Sequence, residues 1–70
     1  MTTPYERTRA ILHTREFLAK LQSPQTWPDL PDDLRRQASA LARHYPEYWD
    51  LRQLHAHLPM FYDSPDSISG

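Results

Sequence analysis

Seven prolines and a single glycine, placed at the last position, constrain this 70-residue chain more than any other feature. Two-residue hairpin turns of the primed types need φ > 0, which Gly and Asn supply at least cost. The chain has no Asn and no Gly before residue 70. Short hairpins are therefore hard to build, and a sheet is disfavoured. Proline instead opens or stops helices at defined points. Those at 4, 24, 28, 31, 46, 59 and 65 leave three stretches long enough for a helix.

The first stretch opens on Thr3-Pro4-Tyr5-Glu6. Thr3 and Glu6 have the spacing of a capping box, and Pro4 takes the first helical position, where its missing donor costs nothing. A helix is expected over 4–22, closed by Pro24. At 100° per residue, Ala10, Ile11, Phe17, Leu18 and Leu21 form one face, and Tyr5, Leu12 and Ala19 a second stripe about 120° away. A helix with two apolar stripes usually contacts two neighbours. Ser23–Leu30 reads as a stiff, extended connection because its prolines are closely spaced. Trp27 within it is expected as a plug over the core, with an exposed, partner-binding Trp as the alternative.

A second helix is expected over 31–45, with Asp32 and Asp33 near its positive end. Leu34, Ala38, Leu41 and Tyr45 make its apolar stripe, with Ala42 beside them. Pro46 bounds it and can start a third helix over 46–58, which Pro59 stops. Leu51, Leu54 and Leu58 face one way there, while Trp49 points about 160° from Leu51. Met60–Tyr62 is expected to pack back, and 63–70 to be a flexible tail. The fold expected is all-α, a small open three-helix bundle in one domain, 1–62. Its core is expected at Ile11, Leu18, Leu21, Leu34, Leu41, Tyr45, Leu51 and Leu54.

Composition removes several function classes. No run approaches the roughly 18 apolar residues of a membrane span. The first residues lack a basic segment followed by an apolar one, so no signal peptide and a cytoplasmic location are expected. The chain has no Cys, hence no disulfide and no thiol chemistry. His55 and His57 diverge by about 200° on a helix, and His13 and His44 lie far apart in sequence, so no metal site is expected. The serines at 23, 39, 64, 67 and 69 accompany no nucleophile turn or phosphate loop. Three short helices leave little room for a ligand pocket. The chain is accordingly expected not to be an enzyme, and to hold no cofactor and no small-molecule ligand.

Seven of the eight basic residues are Arg, whose planar fork suits carboxylate or phosphate. Arg35, Arg36 and Arg43, with Ser39, lie opposite the second helix's Leu stripe and form a candidate phosphate-contacting face. The structural alternative pairs Asp32 with Arg35 and Arg36, and places Arg43 at the negative helix end. A net charge of −1 and the lack of a short Gly-containing turn make nucleic acid the less favoured partner. Arg7 falls within the first helix's apolar arc and Arg15 between its stripes. A charge there needs a partner. Asp50, Glu47 or Asp33 could supply one internally, and a partner protein's carboxylate is the alternative.

The opening T-P-Y-E-R-T-R-A-I-L-x-T-R-E-F-L and the later L-P-D-D-L-R-R-Q-A-x-x-L-x-R-H-Y-P resemble a family of short proteobacterial proteins. The likeness covers about residues 2–46. That family has no established activity, ligand or catalytic residue, so the resemblance implies a bacterial, cytoplasmic protein and no role for any residue. A core this small is marginal alone. The leading expectation is a non-enzymatic module that binds another protein or itself through Tyr5, Leu12, Arg15, Trp27 and Trp49. The runner-up is a nucleic-acid-associated regulator using Arg35, Arg36 and Arg43.

Overall fold

The computed structural model describes residues 2–68. Among them the chain forms α1 (Pro4–Gln22), α2 (Asp32–Arg43), α3 (Tyr48–His57) and a 3-10 turn at Pro65–Ser67, with no strand. The fold is all-α and small. None of the helices is long and apolar enough to cross a membrane. The chain divides into two compact units, one of Met1–His13 with Pro46–Gly70 and one of Thr14–Tyr45, and α1 runs through both.

Local chemistry sets the helix ends. At the start of α1 the Thr3 N–H donates to Glu6 Oε1 at 2.9 Å, and the Glu6 N–H donates to Thr3 Oγ1 at 3.2 Å. The Thr3 backbone N–H, with help from its hydroxyl, holds the Glu6 carboxyl below its ordinary range. The other two helices are shorter than the periodicity suggests. Pro31 stands just outside α2, its carbonyl accepting from the Arg35 N–H at 3.1 Å. Tyr45 leaves the helix because the residue before a proline is pushed out of the helical region. α3 starts at Tyr48 rather than Pro46. Glu47 is extended, and its N–H donates to Asp50 Oδ2 at 2.8 Å, so the carboxylate places the helix start after Pro46.

Four of the prolines occupy the second position of a tight turn. Thr26 N–H bonds Ser23 O, Leu30 N–H bonds Trp27 O, Phe61 N–H bonds Leu58 O and Ser67 N–H bonds Ser64 O, at 3.0–3.4 Å. In each case the proline follows the acceptor, where its fixed φ suits a turn. The Ser23–Leu30 connection is therefore folded into two successive turns. It is not the extended path that its proline spacing suggests.

In the first unit the fully buried residues are Thr8, Leu51 and Pro65. Thr8 is the polar member, and it is satisfied twice over. Its hydroxyl donates to Asp63 O at 3.1 Å and accepts from the Asp63 N–H at 2.9 Å. This bond pair ties the C-terminal segment to α1. The segment is ordered through Ile68 where a flexible tail is expected from 63; residues 69 and 70 lie outside the described residues. Asp66 closes the segment over α3: its Oδ1 accepts from Tyr48 OH at 2.8 Å and from Arg52 Nη2 at 3.0 Å. The Arg52 guanidinium also sits 4.9 Å from the Tyr48 ring centre, a cation–π geometry. Sequence reading misses this clasp because its partners lie 14 and 18 residues away.

In the second unit Leu18 and Ala38 are buried. Of the remaining expected core residues, Leu51 is buried, and Ile11, Leu21, Tyr45 and Leu54 are half-buried. Leu34 and Leu41 are not core residues. They are 43% and 64% exposed.

Two measurements check this anchoring. Thr8→Val keeps the shape and removes the hydroxyl, so it should destabilise by about 1–2 kcal/mol in urea unfolding. It should also speed amide exchange at 63–68 first. For Asp66, Arg52 and then Tyr48 hold the carboxyl below the ordinary aspartate range. A depressed folded value means the clasp contributes above the unfolded carboxyl range and is lost as pH falls through the folded value. In an NMR titration, Arg52→Gln should raise the Asp66 midpoint.

Candidate functional site

The exposure of Leu34 and Leu41 follows from how α2 is turned. Taking Leu34 as the origin, Ala38, Ala42 and Arg35 lie about 40°, 80° and 100° round the helix. Those three are its buried or half-buried residues. The helix thus turns its small side chains inward, and the leucines fall at the edge of the contact. Alanines permit close approach of a backbone where leucines would hold it away.

Arg35 holds that orientation. Its Nη2 donates to Trp27 O at 2.7 Å and its Nη1 to Leu21 O at 3.3 Å. Leu21 stands in the last turn of α1, where carbonyls have no intrahelical partner. One guanidinium therefore caps α1 and fastens the second connecting turn to α2. This is a structural use of a residue placed by periodicity on a phosphate-contacting face. Arg36 pairs with Asp33 one turn earlier. Arg43 is exposed at the end of α2. An open cavity of about 460 Å³ is lined by Gln22, Asp32, Arg35, Arg36 and Ser39. It mixes both signs of charge, so no uniform field favours a phosphate there.

Beside it runs an apolar groove of about 530 Å³, lined by Phe17, Leu21, Trp27, Pro28, Asp29, Leu30, Pro31 and Leu34. Phe17 and Trp27 meet edge to face, with ring centres 5.5 Å apart and planes at 70°. Phe17 remains 50% exposed and Trp27 38%. Trp27 is half of an aromatic wall open to solvent, rather than a plug closed over a core. Leu34 also lines the groove; Leu41, seven residues further along α2 on the same helical face, is exposed but lies outside that lining.

The expected interface residues fall in both units. Tyr5 and Trp49 are exposed and Leu12 half-buried in the first; Arg15 and Trp27 are exposed in the second. Leu58, Met60 and Phe61 add exposed apolar surface to the first unit. The Arg15 side chain makes no ion pair among the described residues. Arg7 is held, but by carbonyls rather than the expected carboxylates: Nε donates to Phe61 O at 2.8 Å and Nη1 to Thr2 O at 3.1 Å. Carbonyl oxygens neutralise no charge but satisfy the donors of a half-buried fork. Among the described residues no cluster of three His, Asp or Glu could hold a metal ion.

Phe17, Leu34 and Leu41 are the surface residues that sequence reading misses, since a clean apolar stripe is normally a core signal. The available hint is Ala38 within that stripe and Ala42 beside it. Comparison with protein-family models, with curated proteins and with solved structures returned no match.

Arg35→Lys tests the arginine's structural role. An ammonium cannot span two carbonyls in a fixed fork. In a Trp49→Phe background, Trp27 emission should shift red and urea stability should fall by about 1–2 kcal/mol.

Proposed function

We propose that the chain is a non-enzymatic protein-interaction module, bacterial and cytoplasmic, that binds through the face made by Phe17, Trp27, Leu34 and Leu41. The observation that carries this reading is the apolar groove walled by an exposed aromatic pair, with Leu41 exposed on the same face of α2 as Leu34. Large aromatics in a partly desolvated pocket are the side chains that dominate protein interfaces. An apolar patch rimmed by polar residues is costly to leave in water unless something covers it. Tyr5, Leu12, Arg15 and Trp49 supply further contact surface on this reading.

The nucleic-acid alternative draws less support. Of its three arginines, Arg35 is committed to two carbonyls and Arg36 to a carboxylate. Arg43 alone makes too few phosphate contacts for useful affinity at physiological salt.

Photo-crosslinking tests the reading. A benzoylphenylalanine at position 34 or 41, in cells that natively express the chain, should give discrete protein adducts. The same group at 39 or 43, on the other side of α2, should not. Adducts to nucleic acid, equal yields at all four positions, or none at any would reject the proposal.

A further inference from the structure

We infer that the surface of α1 and α3 beneath the C-terminal strap, residues 61–68, is a peptide-binding site. The chain's own strap fills it in cis, and a partner segment carrying proline followed by a carboxylate fills it in trans. The site lies wholly in the first unit and is independent of the α2 face.

The contacts from the two helices divide by what they read. Over 61–63 the polar contacts go to backbone alone. Arg7 Nε donates to Phe61 O at 2.8 Å. His55 Nδ1 lies 3.0 Å from Tyr62 O. A carbonyl only accepts, so that nitrogen carries the proton. Thr8 Oγ1 engages both the C=O and the N–H of Asp63. Main-chain bonds of this kind give affinity, and pockets for particular side chains give specificity. Here the side chains read are the next two along. Pro65 is fully buried where the 3-10 turn packs on α3. Asp66 Oδ1 receives Tyr48 OH at 2.8 Å and Arg52 Nη2 at 3.0 Å.

The occupant largely shapes itself. The Ser64 N–H donates to Asp63 Oδ1 at 2.8 Å, the Asp66 N–H to Ser64 Oγ at 3.2 Å and Ser67 Oγ to Ser64 O at 2.7 Å. Pro65 has its φ fixed in advance. All these signals fall within five residues, so a short free segment carries them too, and preorganisation lowers the cost of binding. The receiving side chains stand on helices started by their own local bonds, Thr3 with Glu6 and Glu47 with Asp50. None of those bonds involves the strap.

The hold on the strap is one that another segment can contest. Arg52 and Asp66 are each more than half exposed, and exposed ion pairs contribute little. Tethering works the other way, since a short linker gives the cis segment an effective concentration of about millimolar order. A free peptide therefore competes poorly with the native strap and better with one that lacks its carboxylate.

An NMR titration of the isotope-labelled full chain tests the inference. The probe is a synthetic peptide of residues 60–68, added to the Asp66→Ala chain. It should shift the amides of Thr8, Leu51 and Arg52, with an affinity about threefold or more above that for the native chain. Replacing 60–62 in the peptide while keeping Ser64-Pro65-Asp66 should leave the affinity within about twofold. Pro65→Ala or Asp66→Ala in the peptide, or Arg52→Gln added to the Asp66→Ala chain, should lower it about threefold or more. Should Asp66→Ala lose helix by circular dichroism, Ser64→Ala, which uncaps the strap's own turn, is the second opened chain. In the native chain, excess peptide should speed exchange of the chain's own 63–68 amides, because both segments claim one site. No shift at the three amides, shifts indifferent to Pro65 and Asp66 of the peptide, or unmoved exchange at 63–68 overturns the inference.

Discussion

Proline at the second position of a turn has its φ set before folding begins, so closing that turn costs less chain entropy. Four reversals of this chain rest on that constraint, at Pro24, Pro28, Pro59 and Pro65. It matters because the chain has little else to offset ordering. A 70-residue chain buries only about 60% of its unfolded surface, and here few large apolar side chains are fully covered. With no internal glycine, turns needing φ > 0 are costly, and no described residue adopts one. Helices joined by proline turns are what remains.

Polar bonds do work that a larger core would do by burial. Thr8 is wholly buried and gives and accepts one bond each with the Asp63 backbone. A buried hydroxyl without those partners would be a net loss, and with them it specifies one register for the C-terminal segment. Arg7 and Arg35 act alike, each bonding carbonyls of two separate segments. The arginine bias of the composition thus has a structural source in both units. Arg spans two acceptors with one rigid group where Lys offers a single point.

The orientation of α2 links this economy to the surface the second unit presents. Because Ala38, Ala42 and Arg35 are its buried or half-buried residues, α2 leaves Leu34 and Leu41 exposed to water. The same turn of the helix engages the Arg35 guanidinium with the Leu21 and Trp27 carbonyls. One packing decision therefore weakens the nucleic-acid reading and supplies the apolar face of the protein-binding one.

Several elements were legible from local residues alone. Thr3, Pro4 and Glu6 placed the start of α1, since capping depends on groups three residues apart. The bounds of α1 and the existence of α2 and α3 followed from proline positions and helical periodicity. The helix bounds differ from periodicity at Pro31, Tyr45 and Pro46 because neighbours compete: Pro46 can start a helix, but the Asp50 carboxylate starts it after Glu47. Periodicity reports which residues share a face but carries no term for how closely another segment can approach it. Coverage of Ala38 and Ala42, together with the Arg35 bonds to the Leu21 and Trp27 carbonyls, leaves the leucine stripe of α2 facing outward. The sequence by itself determined the prolines, caps and all-α class, because those are contests within one turn. Only the tertiary structure decided that Leu34 and Leu41 face water and that Asp63–Ile68 is anchored, because those outcomes depend on partners that chain order keeps far apart.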